Sequence, residues 1–201
     1  MHFFPLRSVF SLLLAFLFLS ACGGPEPVTL HGENIICFGD SLTFGTGASR
    51  DKSFPAHLAA MIGQPIINSG IPGDTTGRAL LRLERDVLSK SPRIVLITLG
   101  GNDLKNGVDK TIAFKNLQEI VTAIQARGAL VVIGGIKLLF WDRGYDEEYK
   151  KLAEETGAIL IPNILEGLMG DENLMHDTIH PNGAGYKIMA QKFFQAIEPY
   201  L

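Results

Sequence analysis

From Asn34 onward, five short runs of apolar and β-branched residues recur along the chain: NIICFG, PIINSG, RIVLITLG, ALVVIGGI and AILIPNI. A stretch with helical spacing separates each run from the next. This alternation constrains the fold more than any other feature, because strands joined through helices run parallel and take helices on both faces of their sheet. Read as continuously apolar, the runs suit strands buried on both sides. The helical stretches lie around PAHLAAMI, GRALLRLERDVLSK, TIAFKNLQEIVTAIQAR, YDEEYKKLAEET and AGYKIMAQKFFQAIEPYL. In the third, Ile112, Leu117, Ile120, Val121 and Ile124 recur at three- and four-residue spacing, which predicts one apolar stripe facing the core. Gly128 and Gly157 stand where a left-handed C-terminal cap is cheapest. With 201 residues, 46% of them hydrophobic and 19% charged, the chain has enough apolar material for one well-buried α/β domain.

The first 21 residues lie outside that pattern. Arg7 precedes an uninterrupted apolar stretch that ends in small residues, the layout of an export signal. The stretch is short for a membrane span, which needs about 20 residues. Its end, Leu19-Ser20-Ala21-Cys22, resembles the lipobox of bacterial lipoproteins, which implies cleavage before Cys22 and lipid on its thiol. Cleavage near Ala21 as an ordinary signal peptide, or retention as an uncleaved anchor, are the other readings. Residues 22–33, with GGPEP directly after Cys22, read as a tether, and 34–201 as the folded domain. The expected location is therefore the bacterial cell envelope, lipid-anchored to a membrane through Cys22. Cys37, the only other cysteine, then has no disulfide partner and is expected to pack as a small hydrophobe.

A formal net charge of -3 without a basic run gives no nucleic-acid surface. In a parallel α/β array, ligands bind outside the carboxyl ends of the strands. The loops there are GDSLTFG, GIPGDTTG, GGNDLKNG, KLLFWDRG and, beyond the fifth strand, HDTIHPNG. Gly39, Gly45 and Gly47 fit neither the Walker loop nor the dinucleotide fingerprint. Asp40, Asp74, Asp103, His176, Asp177 and His180 would gather at one sheet edge and could hold a divalent cation. Turn chemistry also accounts for these carboxylates. There is no H-E-x-x-H and no D-x-D, so no metal or other cofactor is expected.

A nucleophile accounts for more of these residues. A serine hydroxyl needs an imidazole to take its proton, a carboxylate to orient the ring, and N–H donors for the oxyanion. Ser41 follows the first strand. Asp177 and His180 share the last loop at a spacing that lets Asp177 accept from one ring nitrogen while the other faces Ser41. Gly73 offers a backbone N–H and Asn102 a side-chain amide. Pro181 suits the first position of the following helix, which would put His180 near that helix's N-terminus. His176 has Asn173 rather than an acid three positions earlier and reads as a loop histidine. His31 belongs to the tether and His57 to a helix surface.

These blocks resemble, in order, those of the GDSL esterases within the wider SGNH hydrolase group: FGDSLTFG, GIPGDTT, LGGNDL and DTIHPNGAGY. The resemblance covers nearly all of the chain from Asn34 on. It implies a flavodoxin-like three-layer α/β/α sandwich around a central parallel sheet of about five strands. It also implies a serine ester hydrolase of arylesterase, thioesterase or lysophospholipase type, with lipid or small-molecule esters as substrates. By position, Ser41 is the nucleophile, Asp177 and His180 complete the triad, and Gly73 and Asn102 join the Ser41 N–H in the oxyanion hole, with Gly70 the other candidate in its block. Asp40 is expected to secure the Ser41 turn. Leu138, Leu139, Phe140 and Trp141 are too apolar for an idle loop; they either line an acyl groove or pack beneath the next helix. A metal-dependent hydrolase and a non-enzymatic, ligand-binding surface lipoprotein are the alternative readings. The sequence determines neither the natural substrate nor the oligomeric state.

Overall fold

The structure, a computed structural model, describes residues 1–2, 30–137 and 144–201. Five parallel strands form one sheet in the order β2-β1-β3-β4-β5. The strands are β1 (Asn34–Gly39), β2 (Ile66–Gly70), β3 (Pro92–Thr98), β4 (Leu130–Gly134) and β5 (Ile159–Ile161). Each expected run forms a strand. Side chains alternate across the pleat, so Ile36, Phe38, Val95 and Ile97 enter one core while Ile35, Cys37, Ile94 and Leu96 enter the other. Helices α3 (Thr76–Asp86), α5 (Lys110–Gln125) and α6 (Tyr145–Thr156) cover the first face; α2 (Phe54–Ile62) and α7 (Gly183–Ile197) cover the second. Among the described residues, two short helices follow β1 and β3: α1 (Ser41–Phe44) and α4 (Gly101–Asn106). Cys37 is fully buried and unpaired, a small core hydrophobe as expected.

Three local expectations need correction. Continuous burial holds for β1, β3 and β4, but β2 and β5 are the sheet's edges and only half-buried, and β2 carries Asn68 and Ser69. Ile112 does not join the α5 stripe: it is 56% exposed, and Ala113 and Phe114 hold the core positions in that turn. Pro181 does not open the last helix. It pairs with Met175 in an isolated bridge, and the helix starts at Gly183 with Asn182 as its cap, the side chain accepting from the Ala184 and Gly185 N–H groups. His180 therefore lies in the loop, short of the helix N-terminus.

Hydrogen bonding to the domain begins before Asn34, because the His31 N–H donates to the Gly128 carbonyl and the Glu33 N–H to the Ser91 carbonyl. Residues 3–29, which hold Cys22 and nearly all of the segment expected to be an export signal, and Leu138–Trp141 lie outside the described residues.

Strand order reverses at β1, whose neighbours are β2 on one side and β3 on the other. The crevice beyond the carboxyl ends of β1 and β3 is therefore the topological switch point.

Candidate active site

β1 ends at Gly39, where an added Cβ would come within 2.5 Å of both the carbonyl and the hydroxyl oxygen of Thr98. Only glycine lets the two strand ends lie this close. Asp40 then caps α1, its Oδ1 accepting from the Leu42 N–H at 3.0 Å. Ser41 is the first helical residue, so its N–H has no intrahelical acceptor. Among the described residues, neither the Ser41 nor the Gly73 N–H donates to any protein acceptor.

The loop after β5 brings its histidine to this serine. Ser41 Oγ lies 2.9 Å from His180 Nε2, and His180 Nδ1 lies 2.7 Å from Asp177 Oδ2. Asp177 Oδ1 accepts from the Ile179 and His180 N–H groups at 2.9 and 2.8 Å, so one carboxylate shapes the turn and orients the ring. Partial burial pushes the Asp177 carboxyl up, but the His180 ring and these two N–H groups outweigh it and bring the pKa down to about 2. An ionised carboxylate only accepts, so a neutral His180 carries its proton on Nδ1 and turns a bare Nε2 toward the serine hydroxyl. Gly47, at φ +94°, makes the approach of the two loops possible. A Cβ there would lie 2.7 Å from the Pro181 carbonyl oxygen and 2.8 Å from His176 Cβ.

Asn102 stands at the start of α4, and its Nδ2 donates at 3.0 Å both to Asp40 Oδ2 and to the Asp74 carbonyl, one residue beyond Gly73. The amide thus joins the β1, β2 and β3 loops. Gly73 itself, at φ +75°, occupies the turn closed by the Asp74 N–H donating to the Ile71 carbonyl. Gly70 already donates its N–H to Asn68 Oδ1 at 3.0 Å, and a Cβ there would run into the Thr43–Phe44 backbone.

The carboxylates weighed as metal ligands are committed to protein donors. Asp103 accepts from the N–H and hydroxyl of Thr76, and Asp74 from Arg82 Nε at 2.7 Å. Asp40 is held as described. Among the described residues no group of three or more such side chains could hold a metal ion. Burial is also the main reason the Asp40 pKa rises to about 7, opposed by the Leu42 N–H and reinforced by the neighbouring Asp74 and Asp103 charges. His176 is exposed at the rim of the site, and His57, through Nε2, meets the Gly183 carbonyl at 3.1 Å.

Ser41, Asn102 and His180 open onto a cavity of about 1010 Å³, whose apolar wall includes Ile136, Leu165, Met169 and Met175. The sequence reading missed this wall. Its signal was the pairing of apolar residues at 164–165 and 168–169, between the fifth run and the histidine loop.

The sequence profile of the GDSL-like lipase/acylhydrolase family matches residues 37–188. An arylesterase of Vibrio mimicus is 33% identical over 84% of this chain and 90% of its own. The thioesterase 1/protease 1/lysophospholipase L1 of Escherichia coli K12 is 29% identical over 83% of this chain and 84% of its own. A crystal structure of TesA superposes with a TM-score of 0.78 at 28% identity, covering 84% of this chain and all of that one.

Proposed function

The chain belongs to the GDSL-like lipase/acylhydrolase family and is a serine ester hydrolase; from that premise we propose that Ser41 is its nucleophile, His180 its general base and acid, and Asp177 the orienting carboxylate. The observation that carries this reading is the 2.9 Å contact between Ser41 Oγ and His180 Nε2, made by residues 139 positions apart. Ser41 Oγ attacks the carbonyl carbon while its proton passes to Nε2. The tetrahedral intermediate then collapses, the C–O or C–S bond breaks, and Nε2 returns the proton to the leaving alcohol or thiol. Water repeats the cycle on the acyl-enzyme and releases the acid. Asp177, ionised throughout, stabilises the imidazolium formed at each step.

The Ser41 and Gly73 N–H groups are the backbone donors for the oxyanion. Asn102 supplies the third by exchanging its bond to the Asp74 carbonyl for one to the oxyanion, since a hydrogen bond to a charged acceptor is about twice as strong as one to a neutral carbonyl. One such donor is worth about 2.7–4 kcal/mol in the transition state. Covalent labelling by a fluorophosphonate, together with hydrolysis of p-nitrophenyl esters that survives EDTA, tests the reading. A protein that takes no label would instead suit a ligand-binding role.

The apolar wall of the cavity suits an acyl chain of several carbons, because each buried methylene contributes about 0.8 kcal/mol. Met169→Trp, which fills that wall, is expected to lower kcat/KM on octanoyl esters about 10- to 100-fold relative to acetyl esters. An unchanged chain-length profile would remove the acyl chain from this wall.

The LSAC segment supports a lipid anchor on Cys22 that holds the enzyme on a membrane of the cell envelope. Cys22→Ser is expected to abolish incorporation of labelled palmitate and to move the protein from the detergent phase to the aqueous phase. Retention of label would place the lipid elsewhere.

A further inference from the structure

Arg82, on α3, is a cation buried behind the site, with only 8% of the residue exposed. Its Nε donates to Asp74 Oδ2 at 2.7 Å. Its Nη1 donates to the Ser69 carbonyl and to Asp86 Oδ2, both at 2.9 Å, and its Nη2 to the Gly39 carbonyl at 2.9 Å. Its guanidinium carbon lies 4.3 Å from the centroid of the Phe38 ring. Two carboxylates balance the charge, yet two of the hydrogen bonds go to main-chain carbonyls at strand ends.

Those carbonyls have specific neighbours. Gly39 is followed by Asp40 and Ser41. Ser69 leads into the turn that holds Gly73. Asp74 follows Gly73, and its own carbonyl accepts from Asn102. One planar group therefore ties together the segments that carry the Ser41 N–H and the Gly73 N–H, and through Asp74 reaches the Asn102 amide. Stability alone does not call for an ion cluster here, since well-packed apolar residues often replace a buried one without loss. A lysine could not substitute either, because its ammonium lacks the rigid fork that reaches separate acceptors at once.

We propose that Arg82 is a positioning residue that sets the spacing of the oxyanion donors by bridging the Gly39 carbonyl, the Ser69 carbonyl and the Asp74 carboxylate. The inference rests on the catalytic reading given under Proposed function. It differs from a purely structural role in what it does to each folded molecule: misplaced donors slow acylation, whereas lost stability only reduces the number of folded molecules.

The test is Arg82→Lys in the mature protein, with active sites counted by fluorophosphonate titration well below the melting temperature. Per titrated site, kcat on p-nitrophenyl acetate is expected to fall about 10- to 100-fold, since small misplacements of catalytic groups cost that much. KM should stay within about twofold, because the lost interaction belongs to the transition state. A kcat per site equal to wild type, with only the titratable fraction or Tm reduced, overturns the proposal. If Arg82→Lys folds too poorly to titrate, Asp74→Asn makes the same test, since it keeps the shape and weakens the clamp. Failure of the catalytic reading shows separately, as wild-type enzyme that takes no label.

Discussion

Ser41→Ala is expected to lose activity on p-nitrophenyl acetate by a factor on the order of 10⁶ in kcat, the scale on which triad members act as a unit in a serine hydrolase. The hydroxyl contributes little else. It sits on the first residue of a single-turn helix, and its one hydrogen-bond partner among the described residues is His180. The variant should therefore keep its fold and its melting temperature while losing the fluorophosphonate label, which intact-mass measurement reads directly. Among the described residues no other nucleophile is hydrogen-bonded to Nε2, so the acyl-enzyme path closes. A residual rate about 10³–10⁴ above water would remain from the oxyanion donors and substrate binding. His180→Ala should be as damaging, and the double variant no worse than either. Retained labelling or wild-type turnover in Ser41→Ala would remove the serine from the chemistry.

Asp177→Asn is expected to lose about 10⁴ in kcat. The asparagine oxygen can still accept from the Ile179 and His180 N–H groups, so the turn survives. Its NH₂, however, donates toward Nδ1, which drives the ring proton onto Nε2, where it blocks transfer from Ser41. Asp177→Ala, which removes the turn contacts as well, should also destabilise the loop; equal activity of Asp177→Asn and wild type would refute the orienting role. Because the folded pKa of Asp177 lies at about 2, below the about 3.9 of an unfolded aspartate, its contribution to stability is complete above the unfolded value. It disappears as pH falls toward 2. Acid unfolding of Asp177→Asn should consequently be shallower than that of wild type in this window. Asp40 has the opposite sign: with its folded pKa raised to about 7, its contribution is full below pH of about 4 and is lost as pH rises through neutrality.

Much of the site was legible because parallel strands send every carboxyl end to one edge. Ser41, Asn102 and His180 then needed only to follow their strands to be brought together. Arg82 left no such trace. It shares α3 with Arg78 and Arg85, whose side chains are 64% and 73% exposed, and nothing in the local pattern marks it as the buried one. Helices α1 and α4 were equally hidden, since four and six residues are too few to display a helical period. Ile112 was assigned to the core by its spacing, but it lies in the first turn of α5, where Phe114 reaches Tyr145 and Tyr149 and leaves the isoleucine outside.

Local physics thus made the class of fold, the order of its elements and the chemical types at the strand ends readable from the chain alone, because hydrophobic period and turn composition act over a few residues. Tertiary structure alone decided which strands are edges, which arginine is buried and which apolar residues line the cavity. It also decided that Asn102 is held between Asp40 and Asp74. These depend on contacts between residues far apart in sequence, such as Gly39 with Arg82 and Ser41 with His180. Such contacts form only when the packed sheet sets the distance, and no local pattern encodes them.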